Sequence, residues 1–132
     1  MRGRPRARPL RLAAVTLVLA AASFAAVPRP HLELARSDPA DGSTVSSVSE
    51  IRLWFAERPM RMGASTVEIR ILDTEGKVLA TGHPVADKKD PKLYVLPLPR
   101  GLEPRAYRIT WQAMAADGDP AKGEIKFTVT GG

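Results

Sequence analysis

The chain has 132 residues, with twenty Lys and Arg against fourteen Asp and Glu, two histidines and no cysteine. That length allows one domain, and the lack of cysteine excludes a disulfide framework, thiolate metal sites and thiol redox chemistry. All fourteen acids lie after Ala25, so residues 26–132 carry a net charge of only +1. A nucleic-acid partner is not expected, because no broad positive field is left to attract a phosphate backbone.

Residues 2–11 hold five arginines and no acid, and Leu12 to Val27 is an uncharged run of sixteen residues rich in small side chains. A basic stretch, an apolar stretch and a small-residue cleavage site describe a secretory signal peptide over residues 1–25. Cleavage after Ala25 is expected, with a cut after Ala22 as the alternative. The run falls short of the ~20 residues that span a bilayer, so no span is expected in the mature chain; an uncleaved anchor is the competing reading.

Val27-Pro28-Arg29-Pro30 belongs to a short tether over residues 26–30, since proline fixes φ and removes amide donors. The domain is then expected over residues 31–130. Leu32 and Leu34 alternate with Glu33 and Ala35 as in a short strand, and Ser37 to Gly42 is turn chemistry. Ile51, Leu53 and Phe55 mark a second strand, and Val67, Ile69 and Ile71 a third. The turn Asp73-Thr74-Glu75-Gly76 leads into Lys77–Ala80 and makes a hairpin of those two runs. A polar loop follows over residues 81–91, with His83 and the cluster Asp87-Lys88-Lys89-Asp90. Lys92 to Leu98 alternates again, and Pro97 marks it as an edge strand or a strand end. Tyr107, Ile109 and Trp111 point one way on the next strand, and Ile125, Phe127 and Val129 close the domain. Trp54, Tyr107 and Trp111 read as core or rim aromatics, and Met114 as core. About seven short alternating runs without a helical stretch predict an all-β sandwich or small barrel.

The chemistry-bearing residues lie in two segments. One is His31 with the turn Ser37-Asp38-Pro39-Ala40-Asp41-Gly42. The other is Tyr107, Ile109, Trp111, then Ala116-Asp117-Gly118-Asp119-Pro120, then Gly123 and Phe127-Thr128-Val129. Together they resemble the CopC family of periplasmic copper-resistance proteins across roughly residues 31–130. The resemblance implies an immunoglobulin-like or cupredoxin-like Greek-key β-sandwich, in the periplasm, that binds Cu(II) at one end. It implies an amino-terminal histidine, here His31, as ligand together with the acid and the histidine of an Asp-Gly-His turn. It also implies delivery to an inner-membrane copper transporter of the CopD kind.

Two departures from that pattern bear on the site. Pro30 precedes His31, so cleavage directly before His31 is disfavoured, and without trimming its nitrogen is an amide rather than a free amine. Asp119 stands where the family has the histidine of the turn. The expected metal set is therefore His31, Asp117 and Asp119, nitrogen and oxygen donors that suit Cu(II) better than Cu(I). His83 is a further candidate should its loop fold over the same end. Met60 and Met62 are candidates as soft thioether donors for Cu(I), with packing against Trp54 the simpler reading.

No enzyme is expected. The serine-rich run over residues 43–49 has no histidine placed to activate a hydroxyl, and two carboxylates on one turn do not flank a substrate cleft. The alternative to a copper protein is a sandwich that has lost tight copper binding and acts as a metal-free interaction module.

Overall fold

The computed structural model describes residues 3, 5, 32–61 and 66–132. The expected signal peptide and tether, His31 and Met62 lie outside the described residues. Nine strands form two sheets: β1 (Leu34–Asp38), β2 (Ser43–Val45), β3 (Glu50–Phe55), β4 (Val67–Leu72), β5 (Val78–Gly82), β6 (Val85–Ala86), β7 (Leu93–Pro97), β8 (Arg105–Met114) and β9 (Pro120–Val129). The four-stranded sheet has the order β1-β3-β7-β6, and the five-stranded sheet the order β2-β9-β8-β4-β5. All ladders are antiparallel except β2 on β9. This strand order is that of immunoglobulin sandwiches, with the first strand divided between the two sheets.

The alternation read in the sequence sets the inner faces. Ile51, Leu53 and Phe55 of β3 face Val67, Ile69 and Ile71 of β4 and Tyr107, Ile109, Trp111 and Ala113 of β8 in one buried cluster. Phe55 sits at its centre, edge-on to Trp111 at 5.3 Å and to Tyr94 at 5.7 Å between ring centroids. No polar or charged residue is buried among the described residues. Charges lie on the outer faces, where Arg70 pairs with Glu68 and Arg52 with Glu50.

The structure adds to or departs from the sequence reading at several points, each for a local reason. β2 and β6 were not anticipated, because three and two residues are too few to show alternation. The first strand runs on through Ser37 and Asp38, and the turn is confined to residues 39–42, where Gly42 takes a φ of +77°. Pro97 is a strand end, as expected: it is the last residue of β7, which lies between β3 and β6. Met114 is half-buried at the rim instead of in the core, as the outward residue that ends β8. The Arg36 guanidinium lies 3.9 Å above the Trp54 ring.

One hydrogen bond locks the far end. The hydroxyl of buried Tyr107 donates to the Glu103 carbonyl four residues upstream at 2.6 Å, the tyrosine corner of immunoglobulin-type sandwiches. Burial raises the Tyr107 pKa above its ordinary 10.0. A raised folded-state pKa means the contribution is complete below about pH 10 and is lost as pH rises through the folded value. Tyr107→Phe is therefore expected to cost about 1 kcal/mol at neutral pH, and to flatten the alkaline fall of stability between pH 9 and 11. Urea unfolding at several pH values measures both, and an unchanged alkaline limb would contradict the assignment.

Candidate metal end of the sandwich

Strand direction decides which loops meet. β3, β5, β6 and β8 run toward one end of the sandwich, and β1, β4, β7 and β9 start there. That end gathers the β8–β9 turn, the segment after β3, the loop before β7 and the place where the chain enters β1.

The β8–β9 turn is built by its own backbone. Ala115 N donates to Asp119 O at 2.8 Å, and Gly118 N donates to Ala115 O at 2.9 Å. Gly118 supplies the φ of +90° that the reversal requires. The Asp117 carboxylate accepts from Asp119 N at 3.1 Å, which fixes the acid over the turn. Ala115 is buried and pins the turn to the core, whereas Asp117 and Asp119 are both exposed. Two carboxylates two residues apart repel each other, and a bound cation would relieve that repulsion.

The chain enters the domain at the same end. Leu32 is buried, and Glu33 O accepts from Ala56 N at 2.8 Å. These contacts fasten the residues just after His31 beside the end of β3. The structure thus brings the entry into the domain at Leu32 and the acidic turn to one end, with His31 itself outside the described residues. It also brings there a carboxylate that the sequence reading passed over. Glu57 is exposed directly after Ala56, and its only signal in the sequence was its place just past a strand end. Among the described residues no group of three or more His, Asp or Glu side chains is drawn together as a metal would require.

The remaining candidates divide. Met60 N donates to Met114 O at 2.8 Å, and the two residues face each other across an isolated antiparallel bridge. Their side chains therefore leave on the same side, Met60 exposed and Met114 half-buried. Met60 gains a thioether neighbour close to the acidic turn that the sequence did not suggest. His83 is not brought to this group. It lies between edge strands β5 and β6, while β1 forms the opposite edge of the four-stranded sheet. Three strand spacings, roughly 14 Å, separate those edges.

The class is thus a small β-sandwich of immunoglobulin topology with an acidic turn at the end where the chain enters the domain. The comparisons identify which one. Residues 34–130 match the family model of the CopC domain, and the chain belongs to the CopC family. It is 33% identical over 107 residues to the copper resistance protein C of Escherichia coli, covering 75% of this chain and 81% of that protein. Among solved structures it is similar to CopC from Methylosinus trichosporium OB3b, with a TM-score of 0.65 and 25% identity over 76% of this chain and 94% of that one. It is also similar to PcoC, a methionine-rich copper resistance protein from Escherichia coli, with a TM-score of 0.57 and 27% identity over 76% of this chain and 100% of that one. The family match begins three residues after His31.

Proposed function

We propose that the protein binds Cu(II) in the periplasm and passes it to a membrane copper transporter. The observation that carries this reading is the shared end: Leu32 and the Glu33–Ala56 hydrogen bond fasten the entry into the domain at the end where the Asp117–Asp119 turn lies. His31 would supply an imidazole and Asp117 and Asp119 two carboxylates. Nitrogen and oxygen donors suit Cu(II), which tops the divalent affinity order. Exposed carboxylates in place of a second imidazole give a site that loads and unloads readily, which suits a carrier more than a permanent store. The Met60–Met114 pair offers soft thioether donors beside it, the kind that suit Cu(I).

Membership of the CopC family supports the copper assignment, and the basic-then-apolar start of the chain supports export. Among the described residues no helix is long and apolar enough to cross a membrane.

Calorimetric titration of the purified protein with Cu(II) is expected to show one ion per chain. Asp119→His, which adds an imidazole to the turn, is expected to tighten it by about tenfold or more. Asp117→Asn is expected to weaken it. If the unaltered chain takes up no Cu(II) and Asp119→His does not restore uptake, the metal-free interaction module becomes the better reading.

A further inference from the structure

The outer face of the four-stranded sheet is divided in its chemistry. Over β1 and β3 it is charged, with Arg36 and Asp38 beside Arg52 and Glu50. Over β7 and β6 it is apolar. Val95 and Pro97 stand opposite Arg52 and Glu50, and Val85 stands opposite Val95, so all three share that face. Val85 is 70% exposed, and across the flank β5 adds Val78 at 47% and Leu79 at 40%. An irregularity in the β4–β5 ladder leaves Leu79 without a partner opposite it, so two adjacent apolar side chains face solvent where alternation would hide one. Residues 78–86 carry no formal charge. A recess of about 630 Å³ lies over the apolar half, lined by Val85, Val95 and Pro97 together with Lys88 and Lys89. An exposed apolar strip rimmed by charge is the usual mark of an interaction surface.

The charges beside the strip are ordered as well. The loop over residues 87–92 folds its carboxylates into its own turns. Asp87 Oδ2 accepts from Lys89 N and Asp90 N at 3.0 Å each, and Asp90 Oδ1 accepts from Lys92 N at 3.0 Å. Both acids are half-buried, whereas Lys88 and Lys89 are exposed and form an ion pair with no other described residue. At the other end of the strip Lys77 is exposed where β5 begins. Residues 26–132 carry +1 in all, of which residues 77–92 hold +2 from four lysines and two acids, leaving −1 for the rest. The domain's surplus of positive charge therefore sits at its apolar flank.

We propose that this flank seats the domain on a lipid bilayer bearing anionic headgroups. Val78, Leu79 and Val85 enter the boundary between headgroups and acyl chains, and Lys77, Lys88 and Lys89 lie at the level of the phosphates. An apolar strip alone fits many partners, but the unpaired Lys88 and Lys89 beside it match a surface whose charge is uniformly negative. Few side chains take part, so the contact is reversible and weakens with salt. The strands run along the flank and the acidic turn lies at the end of the sandwich, so docking leaves Asp117 and Asp119 clear of the lipid. The inference does not depend on copper, and its test is made on the copper-free protein.

The exported, processed chain is the form to use, its start checked by mass, because the five arginines before Leu12 would bind lipid by themselves. Cosedimentation is expected with vesicles of phosphatidylcholine and phosphatidylglycerol, and not with vesicles of phosphatidylcholine alone. Raising the salt from about 0.05 M to about 0.5 M should release the protein. Lys88→Gln combined with Lys89→Gln should weaken binding by about fivefold for each lysine removed. Val85→Asp, which brings a carboxylate to the apolar strip, should weaken it by about tenfold. Lys122→Gln, on the outer face of the five-stranded sheet, should leave it within about twofold of the parent. All four side chains are exposed, so the far-ultraviolet circular dichroism of each variant should match the parent. Failure to bind the phosphatidylglycerol vesicles overturns the proposal and returns the flank to a protein partner. So does binding that Val85→Asp leaves intact, or that Lys122→Gln weakens as much as the paired lysine variant does.

Discussion

Removing the imidazole with His31→Ala is expected to weaken Cu(II) binding by at least about a hundredfold, since changes to groups that merely orient a ligand already cost 10–100-fold. In the proposed site His31 is the only nitrogen donor from a side chain, because the other proposed ligands are the carboxylates of Asp117 and Asp119. Carboxylates alone favour hard cations and discriminate weakly among divalent ions. The variant should therefore lose its preference for Cu(II) over Zn(II) together with its affinity. The same logic fixes a pH dependence. An imidazole ligates only when unprotonated, and unperturbed imidazoles titrate near pH 6.5. Affinity in the parent should fall as pH drops from 7 to 5, while residual binding in His31→Ala should stay nearly flat across that interval. Competition titrations against a chelator at pH 7, 6 and 5 measure both effects. Equal affinities for parent and variant at pH 7 would remove His31 from the site.

The parts of the fold that could be read from the chain are those where burial imposes a period of two. Ile51-Leu53-Phe55, Val67-Ile69-Ile71 and Tyr107-Ile109-Trp111 alternate because each strand has one face against the core, and all lie in the buried cluster. β2 and β6 escaped because they are held by their neighbours. Val45 packs on the core from a strand of three residues, and Val85 and Ala86 are both exposed. The acidic turn was legible because Asp-Gly chemistry has few other uses, and Gly118 does take the left-handed conformation. What a sequence does not show is which loops share an end. That Glu33 meets Ala56, and Met60 meets Met114, depends on strand direction in two different sheets. Glu57 and the methionine pair were therefore beyond reach, and His83 could be placed neither at the acidic end nor away from it.

Gly123→Ala is expected to destabilise the domain by about 2–3 kcal/mol, the cost of overpacking a closed core. Gly123 is the partner of Trp111 across the β8–β9 ladder, and the indole lies over it. A Cβ at position 123 would come within 2.6 Å of Trp111 Nε1 and 2.7 Å of Cε2 and Cζ2. A flexible side chain could step aside, but the indole is rigid and buried, and its retreat is blocked by Phe55, itself held edge-on by Tyr94. The loss of chain entropy in the unfolded state returns about 0.4–1 kcal/mol at most, too little to change the sign. For a domain of this size the midpoint of thermal unfolding should drop by roughly 10–20 °C. The displaced indole should also move the tryptophan emission to longer wavelength. Because Trp111 and Gly123 lie one short step from the Asp117–Asp119 turn on either strand, Cu(II) affinity should fall too. Tyr107→Phe, at the far end, should lower stability and leave affinity alone. A midpoint within about 2 °C of the parent would show that the indole moves freely, and the coupling of core to turn would go with it.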